Sequence, residues 1–557
     1  MRTKSQTRIV IAVAVIAAAA GAITLWAQES AFAVAGLLSV MLVALALVSR
    51  GLATSEPNVS PSEYFGASSV LGSVTTLQSL GSSWVMLGNV VVAGMILGQV
   101  FGLITFWMVF TWSLAFVLMS HRVDRVRSVL AADDTLHSYL HRAYGSRPMR
   151  QVAALITVFV GFGVFVIELI AGIALLVAVL PPPIGAVIAP VLMLLLVIAM
   201  CIAAISGGLR AVITTDAMLW PIVIAGIVVM LIFSIELFSS QAPVEIGQKF
   251  FPEALHPGGV GAFLIGIAAL QVPLLLGDYG TWQRIKATDR RETETLAKHT
   301  VRQAGWQFFL WGVPVLAGVA LLGLPALFAT ESGNLYPSSF PLIELVRHWI
   351  SDAEIPLGIR AVLVTIFLVG MLAVLVSTAN TYLLIAMETW VRDFRPRSIN
   401  DLYPSEEAVG LKAVADARAL CIIIALAACV PIVALLQFQI NLVGLIVIVF
   451  SVQVALAPAA VLALYYDEDA PQLAPLVVRA TLAGFLLAIV FGICTNYAVT
   501  GWWKDYGTFL TSAIALVVPT SVIAIGLFRQ RGVGAVWDFL CKLLWPFEGL
   551  FRRGRVS

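Results

Sequence analysis

With 557 residues, 60% of them hydrophobic and only 11% charged, the chain has too little polar surface to dress a water-soluble globule. Its net charge of +2 says nothing about nucleic acid, and its five cysteines, scattered and mostly within apolar runs, show neither metal nor redox spacing. What remains is a membrane protein. A closed barrel is excluded in turn, because the apolar runs are too long and lack strand alternation.

Apolar stretches of about 20 residues, enough to span a hydrocarbon core, recur along the whole sequence. Fourteen helices are expected, at 9–26, 31–49, 68–97, 102–120, 151–180, 184–206, 212–238, 258–283, 304–328, 358–390, 419–436, 438–464, 473–496 and 508–528. The first has a basic start and is followed by "AQES", as a signal peptide would be. We read it as a helix, because Arg50 and the later basic loops then fall on one side. With a cytoplasmic amino terminus, only Lys249, Arg347, Arg360 and Lys504 of the 33 lysines and arginines lie outside. That bias places both termini in the cytoplasm and the chain in the inner (plasma) membrane. The longest polar connections, 121–150, 284–303, 329–357 and 391–418, have the size of loops with a short helix.

Two runs carry interruptions. In 68–97, "TTLQSLGSSWVMLG" packs Gln78, Ser79, Gly81, Ser82 and Ser83 into the cytoplasmic half; in 258–283, "ALQVPLLLGDYGTWQR" brings Gln271, Pro273, Gly277, Asp278 and Gly280. Backbone groups freed by such breaks survive in hydrocarbon only where they are buried or line a wet cavity. The two runs lie five helices apart and point in opposite directions, as paired broken helices of an inverted repeat do. The expected architecture is therefore an all-α polytopic membrane protein. Two flanking helices (1–50) precede a five-plus-five inverted-repeat core (51–464), with repeats at 68–238 and 258–464 and broken first and sixth core helices. Residues 465–557 add two more helices and a basic tail, "VWDFLCKLLWPFEGLFRRGRVS", with the look of an interfacial amphipathic helix. The third members of the repeats carry Glu168 and the polar run "LVSTANTYLL" at 375–384. A carboxylate at mid-bilayer costs about 2.5–3.5 kcal/mol on insertion scales, so Glu168 is expected to face the protein interior or to be protonated.

Four stretches, in matching order over roughly residues 31–465, resemble the sodium:solute symporters. They are "SEYFGASSVLGS", "GGLRAVITTDAMLWPIVIAG", "GDYGTWQRIKATDRRETETLAK" and "VSTANTYLLIAMETWVRDF". The resemblance implies a ten-helix inverted repeat with flanking helices and uptake of small solutes driven by sodium. In that family two adjacent hydroxyl residues of the eighth core helix bind sodium together with carbonyls of the broken first helix. Carried onto this chain, the hydroxyls are Ser377 and Thr378, and the carbonyls are those of Val374, Gln78 and Gly81. Asp216 matches a position associated with sodium leaving toward the cytoplasm, and Asp278 a polar position lining the solute pocket. Glu168 stands where many relatives carry glutamine. Ser79, Ser82, Gln271 and Asn380 complete the expected solute-binding set. The chain departs from the pattern at Leu80, where several relatives carry Asp or Asn, and at Gly280, where some sugar transporters place an aromatic gate.

The expected activity is sodium-coupled uptake of a small polar or charged organic solute. The alternatives are proton coupling on the same fold, with Glu168 or Asp278 as carrier, or a transporter-like sensor without flux. Sodium is a co-transported ligand, and no cofactor is expected. The expected partners are the solute, the ion and the bilayer, with no nucleic acid and no obligate protein partner. No sequence signature of an enzyme is present: the six histidines fall in loops or near helix ends, and no phosphate loop or nucleophile elbow occurs.

Overall fold

The computed structural model describes residues 31–53, 64–65, 72–130, 135–180, 184–239, 257–288, 294–321, 341–351, 355–394, 406–438, 441–498 and 500–544. Among them are 11 helical segments long and apolar enough to cross a membrane, rather than fourteen. The run at 9–26 lies outside the described residues, and two pairs of expected runs are continuous in the ladder. One pair is Leu87–Ser120 and the other Val187–Ser239. The latter has 53 residues; as one straight helix it would be about 80 Å long, far more than a bilayer. It is divided by Gly208, whose φ of 56° is a left-handed conformation that an L side chain resists.

In chain order, α1 (Ala31–Ala53) precedes α2 (Ser73–Trp84). A π-helical stretch (Leu87–Val92) then opens α3 (Ala93–Phe101). Gly102, at φ 60°, ends α3, and α4 (Phe106–Ser120) follows. The chain reverses there: Gly94 and Gly98 of α3 pack against Pro314 and Val315–Val319 in the same sense, whereas Phe106 and Phe116 of α4 meet Gly312 and Gly305 in the opposite sense. Two short helices, α5 (Val123–Val129) and α6 (Leu136–Tyr144), lead to α7 (Arg147–Val179). Thr135 and Ser138 form a reciprocal capping box that starts α6.

The long α8 (Ile184–Ser239), bent at Gly208, is followed by α9 (Pro257–Gly277) and α10 (Tyr279–Ala287). Next come α11 (Glu294–Trp306), α12 (Phe308–Leu321), α13 (Pro341–Ser351) and α14 (Leu357–Thr389), the last continued by a π turn (Trp390–Phe394). The chain closes with α15 (Glu406–Phe438), α16 (Leu442–Val454), α17 (Ala457–Tyr465), α18 (Ala470–Ile493), α19 (Trp502–Tyr506), α20 (Leu510–Arg531) and α21 (Val533–Leu544).

The interior is formed by α7, α8 and α14, with α2 and α10 inserted beside them. Lipid tails are as apolar as leucine, so helices here gain by close backbone approach through small residues. At Gly226 of α8 and Gly370 of α14, a Cβ built on Gly370 would stand 2.5 Å from the Gly226 Cα. The amphipathic tail is docked on the protein. In α21, Phe539 and Leu543 are buried while Trp537 is exposed. Asp538 accepts from the Tyr466 hydroxyl at 2.5 Å, and Arg122 reaches the Lys542 and Leu543 carbonyls.

Candidate functional site

The first break falls between α2 and α3. The last bond of α2 runs from the Val85 N–H to the Gly81 carbonyl (3.1 Å), and Met86 is extended (φ −88°, ψ 136°). Val90 and Val91 both donate to the Met86 carbonyl, at 3.1 and 2.9 Å. The N–H groups of Leu87 and Gly88 stand at the start of the new helix, where no intrahelical acceptor is available. Glu168 of α7 supplies the acceptors. Its carboxylate takes Leu87 N–H at 2.8 Å, Gly88 N–H at 3.1 Å and the Asn89 amide Nδ2 at 3.0 Å. Glu168 is fully buried and turned inward, where the positive end of the half-helix favours a negative charge. Glycine at 88 permits the approach, since a Cβ there would meet Ile167 Cγ2 at 2.7 Å.

The second break falls between α9 and α10. Asp278 is extended (φ −84°, ψ 107°), and its carboxylate accepts the Thr281 N–H at 2.6 Å, capping α10. From α16, the Gln453 amide donates to the other Asp278 oxygen at 2.9 Å and to the Gly277 carbonyl at 3.4 Å. Each second half-helix thus begins on an intrinsic carboxylate, supplied by a neighbouring helix at one break and by the break itself at the other.

Between the breaks lies a buried polar cluster built from four elements. Asp216 of α8 accepts from the Ser79 hydroxyl of α2 (2.8 Å) and the Ser377 hydroxyl of α14 (2.7 Å). Ser82 donates to Ser377 at 2.7 Å, and the Thr378 hydroxyl reaches the Ser83 carbonyl at 3.4 Å. Arg284 of α10 enters the same cluster. Its Nε donates to Ser79 at 2.9 Å, and its Nη2 donates to Asp216 at 3.2 Å and to Thr381 at 2.9 Å. Asp216 is 0% exposed and Arg284 2%, so the pair is held by hydrogen bonds on both sides, the condition under which buried charges are tolerated.

Of the expected site residues, Ser79, Ser82, Asp216, Ser377 and Thr378 are brought together, while Glu168 and Asp278 sit at the two breaks. Val374 is buried one turn before Thr378. The Gln78 and Gly81 carbonyls are less free than expected, because α2 runs unbroken through both and the interruption comes at Val85–Met86. Gln271 faces away from the cluster. With its amide nitrogen toward Thr111 and Met108 O and its oxygen toward the Trp112 indole, it ties α9 to α4. Asn380 is buried, and neither amide atom has a partner among the described residues. Sequence reasoning missed Arg284, Asn89, Gln453 and Thr381. Arg284 lies only six residues beyond the Asp278 break, a separation that leaves it on the buried half-helix rather than in the loop.

A second buried network underlies α10. Asp393 accepts from Thr135 (2.9 Å) and Arg150 (3.0 Å) and pairs with His137 Nδ1 (2.9 Å), while the His137 ring stacks on Tyr279. Among the described residues no group of three or more His, Cys, Asp or Glu side chains is placed to hold a metal ion.

The chain's backbone matches that of a sodium-coupled sialic acid symporter, solved in a substrate-bound outward-open state. The TM-score is 0.64 and the identity 15%, over 89% of this chain and 98% of that one. At that identity the likeness is one of fold alone. A manganese transporter of Eremococcus coleocola aligns over 87% of this chain and 94% of its own, at 15% identity and a TM-score of 0.42. No family model matches the sequence, and no curated protein matches it.

Proposed function

We propose that the protein takes up a small polar or charged organic solute together with sodium, by alternating access around the two helix breaks. The observation that carries this reading is the convergence of Ser79, Ser82, Asp216, Ser377 and Thr378 from three helices into one water-poor, oxygen-rich cluster beside the first break. A hard cation needs several oxygens to replace its hydration shell. Hydroxyls of α14, the Asp216 carboxylate and carbonyls at the end of α2 are the chemistry required. An ion held there braces α2 against α14, so ion and solute binding are coupled. In this reading 68–238 and 258–464 are the two inverted repeats, with the solute near Glu168, Asp278 and Asn380. The protein lies in the inner membrane with both termini cytoplasmic.

Proton coupling is the second reading, favoured by the two carboxylates at the breaks. The test is uptake of a solute panel by proteoliposomes, with sodium and proton gradients imposed separately. Accumulation driven by sodium supports the first reading, and accumulation indifferent to sodium but driven by a proton gradient supports the second. Saturable solute binding with no flux under either gradient overturns both in favour of a sensor.

A further inference from the structure

The guanidinium of Arg284 stands among the oxygens that the proposed function assigns to sodium. It takes the Ser79 hydroxyl at 2.9 Å, the Thr381 hydroxyl at 2.9 Å and the Asp216 carboxylate at 3.2 Å, with its remaining nitrogen 3.4 Å from the Gly280 carbonyl. Asp216 is fully engaged. One oxygen accepts from Ser79 and Arg284, and the other from Ser377, whose own oxygen accepts from Ser82. Within the cluster one carboxylate stands against one guanidinium, in a site closed to water, and the Asp278 carboxylate lies close by on the other side of Arg284. A second positive charge on the same carboxylate would meet a like charge a few ångströms away, with little solvent to screen it. Guanidinium and alkali cation share the relevant chemistry, a positive charge satisfied by hydroxyl and carboxylate oxygens, so each is a substitute for the other.

We propose that Arg284 is a tethered competitor of the coupling cation: guanidinium and sodium are alternative occupants of the Ser79–Asp216–Ser377–Thr381 cluster, and sodium loads only as Arg284 withdraws. This rests on the reading of the cluster as a sodium site. The consequence is mechanical. Arg284 belongs to α10, which joins α9 through the break at Asp278. Expelling the guanidinium unfastens α10 from α2, α8 and α14 at once, so the ion that binds also frees the half-helix that has to move. The pairing thereby links occupancy to conformation without direct contact between ion and solute.

Radiolabelled sodium binding to the purified full-length protein, with choline as the control cation, tests the proposal. Arg284→Gln is expected to lower the half-saturating sodium concentration by on the order of tenfold or more, within the usual range of coupling between two sites. Arg284→Lys keeps a charge for Asp216 but loses the fork that reaches Ser79 and Thr381, and is expected to fall between Gln and wild type; it also serves if the Gln protein does not fold. In Arg284→Ala, free guanidinium ion is expected to compete with sodium, an effect that a merely structural salt bridge does not predict. Sodium binding that is abolished by Ser377→Ala yet unchanged or weakened in both the Gln and Lys variants overturns the proposal and leaves the sodium site standing. Absence of any Ser377-sensitive sodium binding, in wild type and variants alike, overturns the sodium reading and the competition with it.

Discussion

Glu168 offers the sharpest structural perturbation. Its carboxylate accepts three hydrogen bonds that start the half-helix after the first break, two from the backbone of Leu87 and Gly88 and one from Asn89. Replacement by alanine leaves all three donors buried without an acceptor. At about 1.5–3 kcal/mol for a hydrogen bond to a charged group, and allowing for non-additivity, the loss is about 3–6 kcal/mol. Glu168→Gln keeps one oxygen for Gly88 and Asn89 but turns an amide N–H toward the Leu87 N–H, so it should lose about half as much. The cost falls on the turn Leu87–Val92, and hydrogen exchange read by mass spectrometry over that segment is the assay. Exchange of the Leu87 and Gly88 amides should accelerate by roughly two orders of magnitude or more in the alanine variant and by less in the glutamine variant, at about tenfold per 1.4 kcal/mol. Unchanged protection in Glu168→Ala would show that the half-helix is capped by something other than Glu168.

Three further outcomes are expected. Ser377→Ala combined with Thr378→Ala removes two hydroxyls from the polar cluster and should raise the sodium concentration for half-maximal uptake, with membrane insertion intact; unaltered ion dependence would place the ion elsewhere. Gly370→Ala drives a methyl group into the Gly226 backbone, a contact with no flexible side chain to yield, and should cost about 1–3 kcal/mol or more, visible as loss of a monodisperse peak in detergent. An unchanged elution profile and melting temperature would mean that α8 and α14 are not so closely apposed. Asp393→Ala strands the buried His137 and the Arg150 pair, a class of change that costs about 3–5 kcal/mol, and should lower the apparent melting temperature; no shift would mean that this network is not a fastening beneath α10.

The membrane class and most of the helices were legible because spans of about 20 apolar residues have few other uses. The second break was legible for a local reason: Gly277, Asp278 and Gly280 carry the interruption in the sequence itself. The first was placed too early. Gly81 lies inside α2, and the actual break, Val85–Met86, consists of two residues that carry no turn signal. It is made by a tertiary acceptor, Glu168, donated from 81 residues away, which no local pattern announces. Arg284 was counted among the cytoplasmic loop cations, and charge placement of that kind reports sidedness but says nothing of burial. The divisions expected between 97 and 102 and between 206 and 212 were legible without a polar loop, and Gly102 and Gly208, both at positive φ, reverse or bend the chain at or beside them.

In the function proposed, the two helix breaks are hinges biased by a cation. The direct measurement is pulsed electron–electron distance spectroscopy between spin labels at Val74 of α2 and Met218 of α8, both exposed, on a background without native cysteines. Exchanging choline for sodium should redistribute the protein between two distance populations several ångströms apart, about the scale of a hinge motion. A single distance that neither sodium nor protons alter would mean that no cation biases these breaks.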